Sequence, residues 1–232
     1  MTPTLDFFQG GFFYRLINEG KEMTEKGRSM VEMLGVLAII GVLSAGAMAG
    51  YSKAMFQYKM NKTIEETTRI FQRFEEAVHK DWGGNEENYV NIYTGDDSAV
   101  QFGLLEKCDH DGSGCRLPIG SILIDAYHDP ADTSMCGGGK VGHFAWFQFN
   151  FTDSKSCAAF ALTHWEKMLP EEWWSPNGYI AISSESGTDR VYLYYPANNI
   201  TGISTASDIT EACQNSCKNG KCDIEFQYRY YC

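Results

Sequence analysis

Glu32 is the only charged residue between Met30 and Tyr51, a run of 22 residues. A carboxylate placed in hydrocarbon costs about 2.5–3.5 kcal/mol or more, so an acid in such a run calls for a partner. A second chemical signal lies far downstream. All eight cysteines (Cys108, Cys115, Cys136, Cys157, Cys213, Cys217, Cys222 and Cys232) fall beyond residue 107. An even number confined to one region, after a hydrophobic segment, reads as a disulfide framework made in an oxidising compartment. Cys108 and Cys115 are close enough in sequence to close a short loop. Cys213 and Cys217, four apart on an expected helix, share a face and should reach different partners. Zinc held by Cys213, Cys217 and Cys222 is the weaker reading, because the spacing lacks a paired C-x-x-C.

Other constellations carry less chemistry. "CDHDGSGC" (108–115) places Asp109 and Asp111 at the start of a glycine turn, a faint likeness to a calcium loop, and calcium is the one cofactor suggested. The glutamate that would complete an EF-hand is missing at the expected distance, and the alternative is a solvated polar turn. His79, His110, His128, His143 and His164 are scattered. Cys157 and His164 lie seven apart on one helical face, but Cys157 reads better as half of a cystine than as a nucleophile. Neither G-x-S-x-G nor H-E-x-x-H occurs, so no catalytic residues are assigned and no enzyme is expected. "CGGGKVGH" lacks the spacing of a phosphate loop. "WWSPNGY" offers Trp173, Trp174 and Tyr179 as a surface for sugars or partners, against the commoner use of such rings in packing or subunit contact.

Charge narrows the partners. The net charge is −1 over residues 1–27, +2 over 28–80 and −12 over 81–232. A region this acidic repels phosphate backbones, and no direct nucleic-acid site is evident.

The elements that position these residues follow from periodicity. The 22-residue run has the length of a membrane-crossing helix, and Lys21, Lys26 and Arg28 place its N-terminal side in the cytoplasm. Beyond Lys53, the residues Met60, Ile64, Thr67, Phe71, Phe74 and Val78 form one apolar stripe. Glu65, Glu66, Arg69, Arg73, Glu75 and Glu76 occupy the other face, so one helix from about 29 to 81 is expected, stopped by Gly83-Gly84. Downstream, "GSILIDAY" and "HFAWFQFNF" read as strands, "GYIAISS" and "RVYLYYP" as a hairpin and "CDIEFQYRYY" as a final strand. "DSKSCAAFALTHWEKML" reads as a helix ended before Pro170, and "TASDITEACQNSCKNG" as a second helix stopped by Gly220. The fold class is α+β: a long N-terminal helix, transmembrane then amphipathic, packed on a disulfide-tied antiparallel sheet.

"KGRSMVEMLGVLAIIGVLS" resembles the N-terminal signature of type IV prepilins and the related type II secretion pseudopilins, over about residues 26–55. In that family a membrane peptidase cuts after a glycine on the cytoplasmic side and methylates the new amino terminus. The resemblance implies a cut after Gly27, an N-methylated Arg28, and Glu32 as the acid at the fifth mature position. It implies a leader at 1–27, a transmembrane assembly helix at 28–52, an amphipathic continuation at 53–82 and a pilin-like extracytoplasmic head at 83–232. The implied partners are the prepilin peptidase, the inner-membrane assembly machinery, the membrane itself before assembly, and copies of the chain or other pilins in a helical fibre. The new ammonium at Arg28 would meet the Glu32 of a neighbouring subunit, lowering the penalty on both charges and setting the helix register. The sequence departs from the family in its first mature residue, commonly Phe or Met and here Arg28, and in having no proline in the run. A different class of reading remains: "AMA" at Ala47–Ala49 resembles a signal-peptidase site, which would release a soluble binding module beginning at Gly50.

Overall fold

A computed structural model describes residues 30–77, 90–112, 114–129, 142–169, 178–184, 190–194, 202–203 and 205–230. The chain forms two compact units, residues 1–53 and 54–232. Helix α1, Met30–Ala77, begins in the first and ends in the second. The expected continuation to residue 81, Val78 and the Gly83-Gly84 stop lie outside the described residues.

Within the second unit the elements follow in order. They are β1 (Val90–Tyr93), α2 (Ser98–Gln101), β2 (His110–Asp111), β3 (Gly114–Arg116), β4 (Ser121–Asp129) and β5 (Gly142–Phe151). After them come α3 (Ser154–Ala161), β6 (Tyr179–Ser184), β7 (Arg190–Tyr194), α4 (Ala206–Ser216) and β8 (Cys222–Tyr230). The strands make one antiparallel sheet in the order β2-β3-β4-β5-β8-β6-β7, with β1 also paired to β4. The last strand is therefore central. It pairs residue for residue with β5, Phe151↔Cys222 through His143↔Tyr230, and with β6 on its other side.

Strict alternation decides which face each side chain joins. Phe147, Phe149 and Phe151 on β5, Ile122 and Ile124 on β4, and Ile224, Phe226 and Tyr228 on β8 are buried on one face. The amphipathic half of α1 covers that face through Phe71 and Phe74. The ring of Phe71 meets Phe147 at 5.1 Å, Phe226 at 5.2 Å and Trp165 at 6.1 Å; that of Phe74 meets Phe147 at 5.1 Å and Tyr228 at 5.7 Å. These tilted and edge-on contacts suit the ring quadrupoles. Thr63 and Thr67 interrupt the apolar stripe without a charge. The hydroxyl of Thr63 accepts the backbone N–H of Ile119 at 3.0 Å and donates to the Lys59 carbonyl at 3.0 Å.

Of the two helices expected in this region, α3 and α4, one ends earlier than the sequence suggests, and α2 at Ser98–Gln101 is an additional short helix. Asp153 caps α3, its side chain accepting from the N–H of Ser156 at 2.8 Å, but the helix stops at Ala161 rather than near Leu169. Trp165 is the reason. Its indole N–H donates to the Phe160 carbonyl at 3.0 Å and its ring packs tilted against Phe160 at 4.8 Å, so the chain turns inward through a 3₁₀ turn at Trp165–Lys167. Helix α4 starts at its Thr205 cap and ends in a 3₁₀ turn closed by Gly220 at φ 79°, a left-handed conformation glycine adopts freely.

Candidate functional site: an exposed apolar helix and a disulfide-bound sheet

From Glu32 to Lys53 every residue of helix α1 is exposed. Leu34, Val36, Leu37, Ile39, Ile40, Val42 and Leu43 are between 53 % and 73 % exposed, and Glu32 is exposed among them. A soluble surface rarely leaves so large an apolar area uncovered, and such patches are the kind that lipid or another protein covers. Helix α1 is long and apolar enough to cross a membrane, a description that a signal sequence near an N-terminus also meets. At Gly35, Gly41, Gly46 and Gly50 an added methyl would meet nothing within 4 Å, so among the described residues no contact requires these glycines. They leave notches where another helix can approach closely. Gly27 and Arg28, where the prepilin resemblance implies processing, lie outside the described residues.

Three disulfides lie among the described residues. Cys108–Cys115 closes the β2–β3 hairpin, Cys157–Cys213 joins α3 to α4, and Cys217–Cys222 ties the end of α4 to the start of β8. Cys213 and Cys217 thus reach different partners. With Cys217 bonded to Cys222, neither sulfur is a thiolate for zinc, and with Cys157 bonded to Cys213 the thiol–imidazole pairing with His164 is excluded. Cys136 and Cys232 lie outside the described residues.

The "CDHDGSGC" stretch is a hairpin whose acids are drawn apart. Asp109 pairs with Lys107 at 3.1 Å, His110 Nε2 meets Asp97 at 2.9 Å, and Asp111 stands exposed. Among the described residues Asp109 and Asp111 share no third carboxylate, and the neighbouring cluster of Asp97, His110 and Cys108 includes a sulfur already bonded. Nearby, hydrogen bonds from the side chain and backbone of Ser98 hold the Asp96 carboxyl below its usual range.

The sheet face opposite the α1 helix carries a polar feature that the sequence reading missed. Glu225 on β8 is only 2 % exposed. Its Oε1 accepts from Ser183 at 2.6 Å, and its Oε2 accepts from Arg190 Nε at 2.9 Å and the Tyr179 hydroxyl at 3.3 Å. Burial first, and the Glu225 charge second, push the Tyr179 hydroxyl well above its ordinary pKa. Tyr179 is half-buried in this network, whereas Trp173 and Trp174 lie outside the described residues. The signal available in sequence was an acid at an alternate position in an otherwise strand-forming run, the same kind of signal as Glu32.

No protein-family model matches this chain, and no curated protein matches it.

Proposed function

We propose that this chain is a structural subunit of a type IV pilus or pilus-like fibre, held in a membrane by the apolar half of α1 and assembled through it. The observation that carries the reading is Glu32. It is a lone acid in an uncovered apolar helix, five residues beyond Gly27 in a stretch that resembles a prepilin processing signature. Cleavage after Gly27 would leave an ammonium at Arg28, four residues before Glu32 in sequence, and a neighbouring subunit could bring the two charges together. An uncompensated buried charge is strongly destabilising, so the pairing would select one axial register. The disulfide-bound sheet then suits an extracytoplasmic head, in an extended fibre or in a pseudopilus of a type II secretion system.

The competing reading is a soluble module released after Ala49. Helix α1 runs unbroken from Met30 through Ala47–Ala49 to Ala77, and its amphipathic second half continues the apolar first half in one element, a continuity that favours a retained helix over a cleaved signal. Intact mass and N-terminal sequence of the mature protein test the proposal. A chain beginning at methylated Arg28 is expected; one beginning at Gly50 overturns it and removes any role for Glu32. Glu32→Ala should insert in the membrane and fold its head, yet fail to enter fibres.

A further inference from the structure

The polar face of the sheet ends in a groove of about 620 Å³, within the ~300–1,000 Å³ range of small-ligand sites. Its floor is a row of register neighbours on three strands. Ser121 on β4 faces Asn150 on β5, which faces Asp223 on β8, with Gln148 one step along the same face. One rim is the β2–β3 hairpin carrying Asp111 and Arg116, closed by Cys108–Cys115. The other rim includes Lys221, next to Cys222 of the Cys217–Cys222 bridge. Both rims are thus held by short covalent loops, so a ligand would order little of the protein on binding.

Polar and apolar groups line the groove in about equal measure, with Leu123 and Phe151 set among the hydrogen-bonding side chains. Gln148 Nε2 donates to Asn150 Oδ1 at 3.0 Å, which leaves Gln148 Oε1 as an acceptor and the Asn150 amide as a donor. Arg116 and Asp111 are exposed, and among the described residues their side chains make no hydrogen bond or ion pair. We propose that this groove binds a neutral oligosaccharide. Amide, carboxylate and guanidinium groups offer adjacent donors and acceptors, the arrangement that neighbouring sugar hydroxyls require. Two cations, Arg116 and Lys221, face two acids, Asp111 and Asp223, so the groove has no net charge to attract a polyanion. The −12 of residues 81–232 opposes one. An extended peptide is disfavoured because β4, β5 and β8 pair with one another across the floor and leave no strand edge there for a further strand.

The proposal concerns the sheet alone and stands whether or not α1 assembles into a fibre. The test applies the full-length chain, in a detergent without a sugar headgroup, to an array of immobilised neutral, sialylated and sulfated oligosaccharides. Hits are then titrated calorimetrically. Neutral glycans should bind, with affinity weakened about tenfold or more by Gln148→Ala and by Arg116→Ala, since each removes a direct hydrogen bond. Arg116 is exposed, so its variant keeps the fold and decides the matter if Gln148→Ala unfolds. No binding to any neutral glycan, binding confined to the sulfated or sialylated ones, or binding indifferent to Arg116→Ala would each overturn the proposal.

Discussion

Arg190, on the outermost strand β7, donates its Nε to Oε2 of Glu225, two strands inward, at 2.9 Å. The side chain of Arg190 is 37 % exposed and that of Glu225 2 %, so the charge that needs compensation is the acid. Arg190→Met strands Glu225 with only the Ser183 and Tyr179 hydroxyls. We expect a loss of about 1–3 kcal/mol in urea unfolding at neutral pH, below the full cost of breaking a buried pair because the arginine is partly solvated. Arg190→Lys should recover part of the loss. No change in Arg190→Met would mean that the two hydroxyls suffice.

The same network makes a prediction at alkaline pH. The Tyr179 proton is held more tightly in the folded protein than at its ordinary value of 10.0. Its contribution to stability is therefore complete below that value and declines as pH rises above it. Tyr179→Phe should flatten this decline in unfolding curves recorded from about pH 9 upward, by about the share of one titrating group.

Asp125 carries the same sign in a lower pH window. Half-burial raises its carboxyl above the usual 3.8, so ionisation costs the folded state more than the unfolded one. Stability from this group falls as pH rises from 3.8 through the raised folded value, and the penalty persists at neutral pH. Asp125→Asn should stabilise at neutral pH, and the gain should vanish below pH 3.8, where both states are protonated. A gain independent of pH would assign the effect to packing.

The disulfides should differ in worth. Cys157–Cys213 spans 56 residues and Cys108–Cys115 spans 7. Loop-closure entropy gives about 4 kcal/mol for the first and about 2.5 kcal/mol for the second. Paired Cys→Ser replacement should lower the unfolding midpoint more for the long bridge. The reverse order would show that the hairpin bridge acts on the native state.

Phe71→Ala should cost about 3–5 kcal/mol, because a ring with almost no exposure leaves a cavity among Phe147, Phe149, Phe226 and Trp165 that the sheet cannot collapse to fill. Leu34→Ala, on the uncovered helix, should leave head unfolding in detergent unchanged.

Local pattern determined a good deal. The 22-residue run with its single acid, the stripe from Met60 to Phe74, the alternation of β5 and the stop at Gly220 all depend on neighbours within a few residues, and periodicity or backbone preference reads them directly. "CDIEFQYRYY" was legible as a strand, but its central place was not, because both neighbours, β5 and β6, lie far away in sequence. The partner of Cys157, the early end of α3 under Trp165, and the meeting of Glu225 with Arg190 were likewise decided by tertiary structure. Alternation assigns a side chain to a face of the sheet. Only strand order assigns it a neighbour, and neighbours decide whether a buried charge is paired and whether a row of amides becomes a groove.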